Sequence, residues 1–162
     1  MIIFINGSMN SGKTTVSRLL QQKIANTAVI EVDELRGFIS QIPLEESLPF
    51  NHKNALAVAR VFVEGGLNVI IPYPLSYQTY MELAGILQQE GNQVFAFTLD
   101  PGLKLALQQR GERGISEQVR KRIRYHYDQG INNPGYGTVI DTSRLSPEQT
   151  ADRIIELTKP TD

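Results

Sequence analysis

The chain has no cysteine among its 162 residues, which excludes disulfides and thiolate metal sites and is compatible with a reducing compartment. It also has almost no net charge: 16 Lys and Arg against 17 Asp and Glu leave −1, with a sequence pI of about 6.1. The field of the whole molecule therefore draws neither nucleic acid nor an anionic membrane, and any anion site has to be local. No apolar run approaches the roughly 20 residues that span a bilayer, and there is no internal repeat or low-complexity segment. Strand-like sequence starts directly after Met1, so no signal peptide is expected, and the expectation is a cytoplasmic protein without membrane or nucleic-acid partners. A chain of this length fits one domain, residues 1–162, around a single core.

What is present begins with Gly7-Ser8-Met9-Asn10-Ser11-Gly12-Lys13-Thr14, which satisfies G-x-x-x-x-G-K-[ST] in full. The apolar run Ile2 to Ile5 before it reads as a buried strand, and Val16, Leu19, Leu20 and Ile24 after it recur at helical spacing. Glycines at 7 and 12 let the backbone turn and approach a phosphate, with successive N–H groups and the positive end of the helix aimed at the anion. Lys13 would reach the β- and γ-phosphates and Thr14 would hold Mg²⁺, with Thr15 next to them in the same nucleotide-binding stretch.

Ala28 to Asp33 reads as a second strand, with Glu31 and Asp33 on one side of it because strand side chains alternate. Ligands of open parallel sheets lie beyond the carboxyl ends of the strands, which puts Asp33 near Thr14. Asp33 could accept a proton from an attacking hydroxyl or help hold Mg²⁺, with Glu31 as a second metal-facing carboxylate. The plainer alternatives are a helix cap for Asp33 and solvation for Glu31. Residues 41–51, with Pro43, Pro49 and Glu45-Glu46, break both periodicities and read as a mobile connection. His52 is then expected to be an exposed first-turn residue of a helix that stops at Gly65-Gly66. A third strand, 67–71, runs into Pro72-Tyr73-Pro74, where Tyr73 could line an acceptor pocket or simply pack.

Further on, a helix is expected over 76–90 and a central parallel strand over 94–99, apolar on both faces. Asp100-Pro101 would cap a helix ending at Arg110. Gly111-Glu112-Arg113-Gly114 leads into a helix carrying Arg120, Lys121, Arg122 and Arg124, the dense basic cluster of the chain. Arg120 and Arg124 share a face at i, i+4 spacing, and Val119, Ile123 and Tyr127 form an apolar one. Glycine hinges would let a lid of about residues 111–130 close its arginines over phosphates; the alternative is a solvated basic helix. A short strand over 138–142 continues through Thr142-Ser143-Arg144 to a capping box at Ser146-Pro147-Glu148-Gln149 and a terminal helix.

Strands alternating with helices five times call for a parallel sheet covered on both faces. With the N-terminal strand, the 7–15 loop, Val32-Asp33-Glu34-Leu35-Arg36 and Arg110-x-x-Arg113, the chain resembles the small P-loop kinases. Shikimate kinase, gluconate kinase, chloramphenicol phosphotransferase, zeta-toxin-type kinases and the tunicamycin-resistance protein are of this kind. What the resemblance implies is a three-layer α/β P-loop NTPase fold whose five-stranded parallel sheet has the order 2-3-1-4-5, with a short helical lid. It implies ATP and Mg²⁺ as donor and a small hydroxylated acceptor. It also implies Asp33 as base or acceptor-binding aspartate, Arg110 stacked on adenine, and Arg113 with Arg120 or Arg124 as phosphate-clamping lid arginines. The loop holding Ser143 and Arg144 would border the adenine, and acceptor specificity would fall to segments 34–60 and 72–80, which contain Arg36 and Tyr73.

The chain departs from shikimate kinases after the third strand. Ile71-Pro72-Tyr73-Pro74 stands in place of a glycine triplet, and the usual acidic residue is missing there, which points away from shikimate and shifts the metal-facing role to Glu31 and Asp33. The expected activity is ATP-dependent phosphotransfer to a small-molecule hydroxyl. Competing expectations are an ATP-binding protein that sequesters a toxic compound with little turnover, and a nucleoside or nucleotide kinase. A DNA- or RNA-acting ATPase does not fit one basic lid on a near-neutral chain. No motif names the acceptor, and monomer and dimer both stay open.

Overall fold

Strand β1, Ile2–Asn6, is the middle of the molecule, and all five of its residues are buried. The computed structural model describes residues 1–108 and 114–159. Side chains of β1 alternate between two cores. Ile2 and Phe4 pack on one face of the sheet with Val69 and Ile71, whereas Ile3 and Ile5 pack on the other with Ile70 and Phe97. Each buried side chain of this size is worth about 1.5–3 kcal/mol relative to exposure. That makes β1 the element on which the other strands align.

The strands are β1, β2 (Thr27–Val29), β3 (Asn68–Pro72), β4 (Val94–Asp100) and β5 (Thr138–Asp141), in the order β2-β3-β1-β4-β5. Every pairing is parallel. This is the order the resemblance implied. Helices α1 (Lys13–Lys23) and α7 (Pro147–Thr158) cover one face through Val16, Leu20, Ala151 and Ile154. On the other face lie α3 (Leu44–Glu64) and α4 (Tyr77–Gln89), which contribute Ala55, Ala59, Leu83 and Leu87. The short helices α2 (Val32–Leu35) and α5 (Leu103–Ala106), and the longer α6 (Glu117–Asp128), sit between strands and layers. At the carboxyl edge, Asn6 stitches three connections together. Its Nδ2 donates to Thr98 Oγ1 at 3.0 Å and to Ile131 O at 2.8 Å, and its Oδ1 accepts from Leu75 N at 2.8 Å.

Several local expectations are corrected. The second strand ends at Val29, and Val32–Leu35 is a helical turn, so Glu31 and Asp33 do not share a strand face. Val32 is the reason: its side chain is 2% exposed and enters the core, while Asp33 and Glu34 in the first turn suit the positive end of a helix. Residues 44–51 are not a mobile connection but the first two turns of α3, with Pro49 inside it. The buried stripe of α3 recurs every four residues at Ser47, Asn51, Ala55 and Ala59. Its first two members are polar and leave no hydrophobic signal. His52 consequently lies well past the first turn; it is half-buried, its ring edge-on to Tyr73 at 5.8 Å. The helix after β4 starts at Leu103 and ends at Ala106, with Gly102 rather than Asp100 in the capping position. Asp100 Oδ1 accepts from Gly102 N at 2.8 Å and so turns the chain without capping the helix.

Candidate active site

The loop joining β1 to α1 is shaped by two glycines. Gly7 has φ 140, and a Cβ there would stand 2.6 Å from both Leu99 O and Ser11 Oγ, so only glycine fits against the end of β4. Gly12 has φ 97 and precedes α1, whose capping residue makes no side-chain hydrogen bond and whose first turn has no acidic residue. The positive end of α1 is therefore open to an anion.

Lys13 folds into this loop, its Nζ donating to Ser8 O at 2.7 Å and Gly7 O at 3.0 Å. The ammonium is enclosed although the residue as a whole is half-buried, and that burial brings its pKa down to about 8, with the charges of Asp33 and Glu31 pulling the other way. The Glu31 carboxylate has a raised pKa, first by burial and next by Glu34, with Thr14 pulling it the other way. Arg18, one turn along α1, opposes that rise, a contact the sequence reading did not single out. Asp33 is exposed in the first turn of α2. The charges of Glu31 and Asp33 thus both reach the one ammonium.

Two cavities flank the loop. One of about 430 Å³ lies between the loop and the start of α6, where Ile115 and Val119 oppose Lys13, Thr14 and Arg18. The other, about 290 Å³, is bounded by Asn10, Thr15 and Leu99 and by Thr142, Leu145 and Pro147. Ser11 Oγ and Thr142 Oγ1, both on residues of its wall, are buried without a hydrogen-bond partner. Ser143 and Arg144 are exposed beside this wall rather than in it; Ser143 N donates to Asp141 Oδ1 at 2.8 Å.

Tyr73, after β3, is half-buried, and its phenol pKa is raised, first by burial and then by Asp33, against Arg122 and Arg36. Four side chains from three segments therefore share one electrostatic neighbourhood. Arg122 is the member of the basic cluster to which the sequence assigns no individual role. Its guanidinium lies 5.1 Å over the Tyr125 ring, and it lines a groove with Met9. Arg120 turns away, donating from Nη1 to Leu107 O at 2.7 Å, and Arg124 is exposed. Arg110 and Arg113 lie outside the described residues. The helix that carries this cluster is docked along its length: Ile123 and His126 are 0% and 4% exposed, and Tyr127 Oη donates to Asp100 Oδ1 at 2.7 Å.

His126 is the residue the sequence reading missed outright. Its Nδ1 accepts from Met9 N at 3.1 Å, and burial, then Arg122 and Lys13, push its pKa down to about 4. The available signal was position: 126 follows 119 and 123 on the inward face of α6. An acid-sensitive stability is expected from it. Below pH 6.5 the unfolded chain takes up a proton that the folded chain refuses until about pH 4. The contribution is therefore intact above 6.5 and lost progressively toward 4. His126→Asn cannot titrate, so its urea-unfolding free energy should fall less than the parent's across that window. Parallel curves for the two proteins would refute the assignment.

A five-stranded parallel sheet of order 2-3-1-4-5 built around a G-x-x-x-x-G-K-T loop is the P-loop kinase fold. No family model matches the chain, and no curated protein matches it in sequence. Among solved structures it is similar to the tunicamycin resistance protein of Deinococcus radiodurans, with 24% identity over 99% of this chain and 96% of that one and a TM-score of 0.73. It is also similar to the Mycobacterium tuberculosis APS kinase CysC in complex with AMPPNP and APS, at 19% identity over 96% and 95% of the two chains and a TM-score of 0.69. The shikimate kinase of Acinetobacter baumannii in complex with shikimate follows at 16% identity, 96% and 91% coverage and a TM-score of 0.59. At these identities the likeness is one of fold, and function has to be argued from the site.

Proposed function

We propose that the protein transfers the γ-phosphoryl group of ATP to a hydroxyl of a small molecule. One observation carries this reading: at the carboxyl edge of the sheet a glycine-shaped loop encloses the Lys13 ammonium within reach of the charges of Glu31 and Asp33. Kinases among the structures that share the fold support it. Lys13 and the open end of α1 would stabilise charge on the transferring phosphoryl group. Asp33 would orient the acceptor hydroxyl and take its proton, and Tyr73, Arg36 and Arg122 would border the acceptor. The Thr14 hydroxyl and the Glu31 carboxylate that it influences are hard oxygen donors of the kind Mg²⁺ accepts beside phosphate oxygens and waters. Among the described residues no cluster of three or more acidic or histidine side chains could form a cage, which suits an ion that arrives with the nucleotide. Bound there, Mg²⁺ would neutralise phosphate charge.

The test is ADP release from Mg-ATP across a panel of sugars, sugar acids, nucleosides, nucleotides and hydroxylated antibiotics, with Lys13→Ala as the blank. Stimulation by one class, with phosphate found on the acceptor, is the expected result. ATP-dependent capture of a compound without ADP release would replace the kinase by a sequestering protein.

The reading also fixes a pH dependence. Free Lys13 loses its proton near pH 8, and a triphosphate beside it would favour the ammonium again. Binding above pH 8 should take up a proton, so that Mg-ATP affinity falls as pH rises from 8 toward 10.5. Calorimetric titrations at about pH 9 in buffers of different ionisation enthalpy measure that uptake. Heats independent of the buffer would detach Lys13 from the phosphates.

A further inference from the structure

We infer that the phosphate loop is held in its binding shape by a tie to helices α5 and α6, with His126 and Asn10 as its positioning residues. The inference rests on the reading of this loop as an ATP site. Two consecutive loop residues take part. Met9 N–H donates to His126 Nδ1 at 3.1 Å, and Asn10 Nδ2 donates to Ala106 O at 2.8 Å and Gln108 O at 3.0 Å.

The acceptor at the α6 end is well defined. His126 is 4% exposed and faces inward with Ile123. Arg122 and Lys13 add positive charge near an already buried ring, so the imidazole stays neutral and Nδ1 keeps its lone pair for the loop. Packing alone does not call for a histidine there, since an apolar side chain would fill the same inward face. What the imidazole supplies is an acceptor aimed at loop backbone. At the α5 end, Asn10 has φ 61, so the side chain leaves the loop at a left-handed turn and spans to the chain that follows α5.

The tie leads to a rigid support. Tyr127 Oη and Asn132 Nδ2 donate to the two oxygens of Asp100 at 2.7 and 3.2 Å, at the end of β4. Arg120 Nη1 donates to Leu107 O at 2.7 Å and joins α6 to the end of α5. The loop is thus braced against β4 through α6 on one side and against α5 on the other. Backbone donors stabilise an anion most when they are already in place, because no reorganisation is then required on binding. Releasing the Met9–Asn10 corner lets the loop relax and removes part of that preorganisation.

Isothermal titration of Mg-ATP into the whole chain tests this, with unfolding midpoints measured on the same proteins. His126→Leu fills the site and offers no acceptor; it should weaken Mg-ATP binding about tenfold, the upper end of one neutral hydrogen bond. His126→Asn places Oδ1 where Nδ1 stands and should bind within about threefold of the parent. Asn10→Gly keeps the positive φ without strain and loses both donated bonds; it should also weaken binding about tenfold. Leucine binding like the parent with asparagine weaker would make position 126 a matter of packing. That result, or parental affinity in Asn10→Gly, overturns the tie. Should His126→Leu not fold, Asn10→Gly decides alone on the same criterion. A parent chain that takes up no Mg-ATP overturns the nucleotide reading and the tie with it, whereas parental binding with unchanged variants overturns the tie alone.

Discussion

Lys13→Ala is expected to lower phosphoryl transfer by a hundredfold or more, the usual loss when a preorganised charge facing the transition state is removed. The fold should survive the change. In the free protein the ammonium sits in an enclosed position that disfavours its charge and holds its pKa near 8, so taking it away removes an electrostatic cost at neutral pH. The two lost hydrogen bonds go to the carbonyls of Gly7 and Ser8 and join no strands or helices to each other. The unfolding midpoint of Lys13→Ala without nucleotide should therefore equal or exceed the parent's at pH 7 and lose that advantage at pH values above 8. With ATP the order reverses. At a hundredfold excess over its dissociation constant, ATP stabilises the parent by about 2.7 kcal/mol, and the variant should show little of this at the same concentration. A variant that transfers phosphate at the parental rate would remove the loop from the chemistry altogether.

The parts of this molecule that were legible in the sequence are those whose signal is carried by backbone chemistry or by unbroken apolar runs. Gly7 and Gly12 mark positive φ and close approach, and they identify the loop directly. Ile2 to Ile5 and Ala96 to Leu99 are buried on both faces, within the apolar runs that read as central strands. The capping box at Ser146 and Gln149 marks the start of α7. Failures came where polar residues do structural work. Ser47 and Asn51 are 0% and 1% exposed, so the first turns of α3 look like loop while packing like helix. His126 is buried by α6, and Arg122 was passed over in favour of Arg120 and Arg124. Helical spacing puts residues on a face without saying which neighbour the face meets. Arg120 meets the carbonyl of Leu107, a partner 13 residues away that periodicity could not name. The second strand shows the same limit in another form. Its edge position gives it one strand neighbour among the described residues, β3, and the chain turns helical once Val32 can be buried.

Asp33→Asn is expected to reduce turnover by about 10²–10⁴, the range for losing a positioned general base, while Mg-ATP affinity changes by no more than about threefold. The substitution keeps the size of the side chain and removes its charge and basicity. Asp33 is exposed in the first turn of α2, where a carboxylate contributes at most about 1 kcal/mol through the helix dipole, so stability should scarcely move. Its charge reaches both Lys13 and Tyr73, as the proposed role between phosphoryl donor and acceptor requires. Glu31→Gln provides the contrast. Glu31 is coupled to Thr14, the proposed Mg²⁺-facing hydroxyl, so its loss should act on Mg-ATP binding first and on turnover through it. Three patterns separate the roles of Asp33. A fall in turnover with nucleotide affinity kept assigns the base. A raised KM for the acceptor with turnover kept makes Asp33 a binding residue only. Unchanged values for both would remove Asp33 from the reaction and leave proton removal to another group or to solvent.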